Sequence, residues 1–433
     1  MRLSPTSFRL ASLVLEIIER RKLSLDTAFK EALNRLRPHS GVSDAYMLTT
    51  LALRRFAEAD LLLKLRGKED IPLRRKCAFR VAYALLKEGI ADLGDMRSVR
   101  GGLLGDKLLN MLSEGELINL SNVVNSLTLA DKLSTKYSTP RWIVKSLLKF
   151  LGQEETINIL KSEMKHKVWI RVNTLKTEVE KVLKNLSKKG IKPRMDKDYS
   201  FLLDLGDVTI QIDEFKAFKK GDIIFQDKGS VVVVGALDPQ DDEEILDMAA
   251  APGVKTSLLQ QLRGNRGLVI AIDISSKRVR SMRVLLNRLM VKNVNIVVGD
   301  ATREFLRGKY DKVIIDAPCT NSGAIRQDPA LRLALWRKPD LEKYYEIQHS
   351  MLLNGINLLK KGGTLVFSTC SYSEVEGEKH FEKELKGIML DPRGIRMGKK
   401  GYRGFKCAEH VRRLFPHLHG TIGFFIARLT KER

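Results

Sequence analysis

Over roughly the first 130 residues the apolar positions recur at helical spacing. Leu10, Leu13, Val14, Ile17 and Ile18 fall on one face, and Met47, Leu48, Leu51 and Phe56 repeat the pattern further on. Strand-like runs are scarce there, and Gly67, Pro72 and the Gly101-Gly102 pair interrupt the stripes. This predicts several moderate helices packed as a bundle over 1–130. The turn Ser138-Thr139-Pro140, followed by the apolar stripe WIVKSLLKFLG, predicts a linking helix within 131–165.

The period then changes. VWIRVNT (168–174) reads as a strand, EVEKVLKNLSKKG (178–190) as a helix closed by Gly190, and FLLDL (201–205) and VTIQI (208–212) as two short strands. A small α+β subdomain over 166–220 is expected. From 221 to 433 the apolar runs EILDMAA, LVIAIDI, VNIVVGD, KVIIDAP and GTLVFSTC alternate with helical stretches, the rhythm of a doubly wound α/β sheet. Each run ends in small, polar or reactive residues, where an open parallel sheet builds its binding crevice.

The first of these ends points to a cofactor. LDMAAAPGVKTSLLQQL passes from strand to helix through small residues, so backbone can approach a ligand closely at Ala249, Ala250, Ala251, Pro252 and Gly253. The next strand ends at Asp273, where an acid accepts hydrogen bonds from ribose hydroxyls, and the third at Asp300, within reach of an adenine amine. The turn AAAPGVKTS matches neither GxGxxG nor GxxxxGK[ST], which argues against a dinucleotide or a P-loop phosphate. S-adenosylmethionine fits better.

Charge adds a partner. The 433 residues carry 76 Lys and Arg against 52 Asp and Glu, a formal +24, and a polyanion such as nucleic acid is the natural counterpart. The N-terminus breaks its apolar stretch with Glu16 and Glu19, and no run of about 18 apolar residues occurs, so neither signal peptide nor membrane span is expected and the cytoplasm is the expected location. The four cysteines (Cys77, Cys319, Cys370 and Cys407) form no CxxC pair, so neither a disulfide framework nor a metal site is indicated.

Two of those cysteines fall at strand ends. IIDAPCTNSG brings Asp316 and Cys319 to the crevice, and LVFSTCSYS brings Cys370. A lone cysteine is usually a small buried hydrophobe, but two at one sheet edge suit a specific chemistry. Carbon 5 of cytosine is too electron-poor to attack a methyl sulfonium until a thiolate has added at carbon 6. A second cysteine can assist release after transfer, and Asp316 can hold the ring nitrogen or exocyclic amine. Enzymes that methylate exocyclic amines need no thiol and carry an Asn/Asp-Pro-Pro-Tyr type loop here, where this chain has Asp-Ala-Pro-Cys.

At AAAPGVK (249–255), DAPC (316–319), STCS (368–371), VNTLK (172–176), QDKGS (226–230) and GFFIA (423–427) the chain resembles the Sun/Fmu (RsmB-type) family of RNA 5-methylcytosine methyltransferases over essentially its whole length. The resemblance implies a Rossmann-like class I methyltransferase domain, preceded by an all-α NusB-like RNA-binding domain and a small RNA-recognition-like subdomain. It makes Cys370 the nucleophile and Cys319 the residue that aids release. It assigns cofactor contacts to Ala249 through Lys255, including Val254, and to Asp273, Asp300 and Asp316.

Two departures stand out. Ala249 and Val254 replace the family's Cys and second Gly, and a β-branched residue avoids positive φ, so the turn is predicted αR or extended at Val254. After STCS the family's Pro-Glu-Glu-Asn-Glu stretch is replaced by Glu374, Val375, Glu376, Gly377 and Glu378. The NusB-like resemblance favours small-subunit ribosomal RNA as substrate. The alternatives are a tRNA cytosine-5 methyltransferase and a non-catalytic RNA-binding or ribosome-assembly factor with the same fold.

Overall fold

The computed structural model describes residues 3–165, 167–206, 216–304 and 306–432. It divides into two compact units: Met1–Met164 with Ile325–Pro339, and Lys165–Ala324 with Asp340–Arg433.

The first unit is all-helical. Its core helices are Pro5–Arg21, Leu25–Leu36, Val42–Leu65 and Leu73–Lys87. The first opens on Ser4, whose side chain accepts from Ser7 N while Ser7 closes the capping box, and Pro5 follows where no amide donor is needed. Leu10, Val14, Ile17 and Ile18 are buried as the stripe predicts, with Leu48 and Phe56. Met47 is a correction: it is 40% exposed, because Leu48, Ala52 and Phe56 already fill the inward face of its helix. Arg80, buried in this core, places Nε and Nη2 each 2.7 Å from the Asp60 carboxylate and also meets Glu19.

Two boundaries differ from the sequence expectation. The segment 131–165 is no separate linker; its helices Leu129–Lys136 and Arg141–Glu163 belong to the first compact unit. The expected 221–433 domain also gives up residues 325–339 to that unit. Ala330 and Leu333 join its hydrophobic core, and Arg332 donates to Tyr137 O, to Thr139 Oγ1 at 3.0 Å and to Glu163 O at 3.1 Å.

In the second unit a four-stranded antiparallel sheet runs in the order β2-β3-β1-β4, with β1 Val168–Val172, β2 Arg194–Met195, β3 Leu202–Gly206 and β4 Ile223–Phe225. The helix Val179–Ser187 buries Val182 and Leu186 against it, and Gly190 follows at φ 74°. Strand β4 pairs Ile170 with Phe225, so this sheet continues past the expected boundary at 220. The strand expected over 208–212 lies outside the described residues.

The large sheet holds β5 Glu244–Asp247, β6 Leu268–Asp273, β7 Val294–Val298, β8 Tyr310–Asp316, β9 Leu359–Thr369, β10 Ile388–Leu390, β11 Lys399–Lys400, β12 Val411–Leu414 and β13 Phe424–Lys431. Its order is β11-β12-β13-β9-β8-β5-β6-β7, with β10 on β13. Strands β5 to β9 pair in parallel; the apolar runs of β5, β6, β8 and β9 are buried, as a covered parallel sheet requires, while edge strand β7 is only partly buried and ends on the exposed Val298. Strands β10 to β13 add an antiparallel end. The chain leaves β5 for β6 and β7 on one side and returns to β8 and β9 on the other. The switch point therefore lies between β5 and β8, where such sheets bind ligands. Among the described residues no helix is long and apolar enough to cross a membrane.

Candidate active site

The turn after β5 is built from small residues around one conformationally demanding position. Gly253 takes φ 98°, and a Cβ there would meet Met282 Cγ at 2.8 Å, so both conformation and space require glycine. Val254 begins the helix Val254–Leu262, so its β-branch sits in helical geometry and only its glycine neighbour is left-handed. Asp247 at the end of β5 is buried. Burial pushes its carboxyl up to about 7, opposed by the hydrogen bond from Thr256 Oγ1 at 2.7 Å.

Asp273 ends β6 and braces the turn from the other side. Its Oδ2 accepts from Ala251 N at 3.2 Å and from Arg278 Nη1 at 3.0 Å, while Oδ1 accepts from Ser275 N at 3.0 Å. A carboxylate has about four acceptor sites, so capacity remains for another donor. Asp300 follows β7. Hydrogen bonds from the Thr302 hydroxyl and backbone, at 2.7 and 3.0 Å, hold its carboxyl below the usual range. Gly299 N donates to Asp273 O at 3.2 Å, tying the two strand ends together.

On the other side of the switch point, Asp316 ends β8. Lys255 Nζ lies 2.5 Å from Asp316 Oδ2 and 3.4 Å from Ser230 Oγ, and Ser368 Oγ donates to Asp316 Oδ1 at 2.9 Å. Burial pulls the Lys255 ammonium down, but Asp316 outweighs it and the net shift is upward, so Lys255 stays charged. The lysine of the turn thus bonds the β8 acid directly.

Three residues past Asp316, Cys319 Sγ comes within 3.4 Å of Cys370 Sγ at the end of β9. Both thiols are free and half-buried. The Cys319 thiol is pushed well up, first by its hydrogen bond with Cys370, then by burial and by the charges of Cys370 and Glu376.

Several site residues escaped sequence reasoning. Glu376, fully buried, accepts from Thr320 N at 2.8 Å, Thr320 Oγ1 at 2.6 Å, Ser371 Oγ at 2.5 Å and Gln348 Nε2 at 3.2 Å. It ties the residue after Cys319 to the residue after Cys370. Gln348 also donates to Pro318 O at 2.8 Å and accepts from His380 Nε2 at 3.0 Å. Burial drives that imidazole down to about 3, so it is neutral, with its proton on Nε2. A second buried carboxylate, Glu378, pairs with Arg413 at 2.5 Å, and Arg413 Nη1 and Nη2 hold Ser371 O and Ser373 O at 3.0 and 3.2 Å. Asp247 was legible as one more strand-end acid. Glu376 and Glu378 lay in the stretch that departs from the family pattern and carried no signal of their own.

The expected residues therefore gather in two groups: the turn with Asp273 and Asp300, and Lys255 with Asp316, Cys319 and Cys370. Among the described residues no cluster of three or more His, Cys, Asp or Glu could hold a metal.

A parallel sheet of order β7-β6-β5-β8-β9, closed by antiparallel β13 and β12, with reactive residues at its strand ends, is the class I methyltransferase fold. The family model described as 16S rRNA methyltransferase RsmB/F matches residues 234–430, and that of the RsmF/B-like ferredoxin-like domain matches 139–205. The chain is 30% identical over 316 residues to the probable ribosomal RNA small subunit methyltransferase B of Bacillus subtilis, covering 70% of this chain and 68% of that one. It is 42% identical over 228 residues to the tRNA (cytosine(72)-C(5))-methyltransferase of Pyrococcus horikoshii, covering 51% and 56%. The solved structure of NSun6 from Pyrococcus horikoshii with SFG superposes with TM-score 0.61 at 29% identity, over 68% of this chain and 99% of that one. The chain belongs to the RsmB/F family. It spans 38% to 56% of the length of the curated relatives at a third identity or more.

Proposed function

We propose that the protein methylates carbon 5 of a cytosine in RNA, using S-adenosylmethionine and a covalent bond from Cys370 to carbon 6. The observation that carries this reading is the meeting of two thiols 3.4 Å apart, beside the Lys255–Asp316 pair, at the switch point of a methyltransferase sheet.

The cofactor fits the residues present. The small side chains of Ala249, Ala250 and Ala251 suit a ligand's close approach to the turn; Asp273 keeps acceptor capacity for a ribose diol, and Asp300 lies at the next strand end for an adenine amine. When bound, S-adenosylmethionine supplies an electrophilic methyl group. The relative solved with SFG, an analogue of that cofactor, supports the choice.

The chain's own residues then divide the work. Cys370 gives its proton to solvent and the thiolate adds to carbon 6, which turns carbon 5 into an enamine-like nucleophile. Asp316, held by Lys255 and Ser368, holds the exocyclic amine by accepting from it, and the Lys255 ammonium beside it offsets the negative charge that addition puts on the ring. After transfer, Cys319, its own proton given to solvent, takes the carbon 5 proton as a thiolate; the carbon 5–hydrogen pair restores the ring double bond, the carbon 6–sulfur bond breaks, and its electron pair returns to Cys370.

Ribosomal RNA is the substrate favoured by the family description and the Bacillus relative. A tRNA is the second reading, favoured by the Pyrococcus relative. Bisulfite sequencing of ribosomal and transfer RNA from cells with and without the gene separates them. Loss of one protected cytosine in ribosomal RNA supports the first, and loss in tRNA the second. No change at any cytosine overturns the activity and leaves the non-catalytic assembly factor.

A further inference from the structure

Asn321 stands two residues beyond Cys319 with its backbone at φ 58°, the left-handed region that asparagine tolerates better than most side chains. That conformation turns the carboxamide toward the two sulfurs. Its Oδ1 lies 2.8 Å from Cys370 Sγ and 3.5 Å from Cys319 Sγ. Among the described residues, Cys370 Sγ is hydrogen-bonded to Asn321 and Cys319 alone.

The loop holds this arrangement firmly. Gly323 N donates to Cys370 O at 3.0 Å, Gly423 N donates to Gly323 O at 2.8 Å, and Ala324 N returns to Asn321 O at 2.8 Å. A Cβ on Gly323 would fall 2.5 Å from Gly423 O, so only glycine lets the loop beside Asn321 pack this closely on Gly423. Asn321 itself is exposed, so an incoming base can reach the same sulfur.

An amide oxygen suits a thiol, which gives a proton, and not a thiolate, which needs one. A carboxamide offers both faces: a half-turn about Cβ–Cγ replaces Oδ1 by Nδ2, a donor. Resting on the function proposed above, we propose that Asn321 is a further catalytic residue, accepting from the Cys370 thiol at rest and donating to its sulfur once the proton has left. The donor is then in place before the carbon–sulfur bond forms and again when it breaks and the sulfur regains its charge. The simpler account is that asparagine merely satisfies a left-handed turn. Glycine would do that equally well, and this separates the two.

The test is alkylation of Cys370 by iodoacetamide in the full chain, followed peptide by peptide by mass spectrometry from about pH 6 to about pH 10, for wild type, Asn321→Gly and Asn321→Asp. Only the thiolate reacts, so the rate reports ionisation without any methyl transfer. In Asn321→Gly the rate near neutral pH should fall about tenfold, the size expected for a hydrogen bond to a charged group, and converge on wild type at high pH. Asn321→Asp, which can only accept and which repels a thiolate, should be slower still. A wild-type profile in Asn321→Gly overturns the proposal; so does a loss equal at every pH, the mark of a displaced loop, or an Asn321→Asp rate at or above wild type. Methylation of a cytosine-containing RNA by the wild-type protein is measured alongside. Alkylation that depends on Asn321 without methylation would refute the proposed function alone, and methylation with unaltered alkylation would refute the role of Asn321 alone.

Discussion

Cys319 Sγ and Cys370 Sγ lie 3.4 Å apart although 51 residues separate them in the chain. They meet because β8 and β9 are parallel neighbours, with Asp316 paired to Ser368, so both strands deliver their exit loops to one edge. The division of labour between the two sulfurs is the first thing to test. Cys370→Ala should abolish methyl transfer, because no thiolate remains to add at carbon 6. Cys319→Ala should leave addition intact and trap protein on RNA as an adduct that survives a denaturing gel. Normal turnover in both variants would remove the covalent mechanism.

Glu376 holds the loops that carry the two cysteines through Thr320 and Ser371. Its removal leaves buried donors without a partner, at about 1–3 kcal/mol each. Glu376→Ala should therefore lower kcat at least about tenfold by misplacing the sulfurs. Cofactor affinity by calorimetry should stay within about twofold, since none of these contacts touches the turn after β5. Glu376→Gln, the milder change, should fall between. A kcat equal to wild type in both would show that the loops are held by other means.

Asp247 predicts a pH dependence of stability. Its folded value of about 7 is above the ordinary carboxyl value, so the unfolded chain releases the proton first as pH rises. Stability from this group is complete in acid, declines from the ordinary carboxyl value through about 7, and is level above that. Asp247→Asn lacks the decline. The melting temperature of wild type relative to the variant should drop by several degrees, on the order of 5 °C, between about pH 4.5 and about pH 8. A constant difference across that range would show that Asp247 ionises normally in the folded protein.

The formal charge of +24 predicts an RNA affinity dominated by phosphate contacts. Dissociation constants from filter binding should rise steeply with salt, about tenfold or more between 50 and 200 mM. A flat dependence would mean that the basic surface is not where RNA docks.

The sequence by itself determined the period of each segment, and period determines element type: the helical stripe of Leu10, Val14, Ile17 and Ile18, and the buried runs of the parallel sheet, follow from which faces must leave water. It also put Asp273, Asp300, Asp316, Cys319 and Cys370 at strand ends, because each directly follows or ends an apolar run. Tertiary structure decided which of those ends meet. Local spacing says nothing of strand order, so the pairing of Lys255 with Asp316, and of both cysteine loops with Glu376, depended on β8 lying between β5 and β9. The same holds for residues 325–339, whose Ala330 and Leu333 complete the helical core of the first unit. Hydrophobic burial has no direction and no memory of sequence distance, so an apolar segment joins whichever core has room for it.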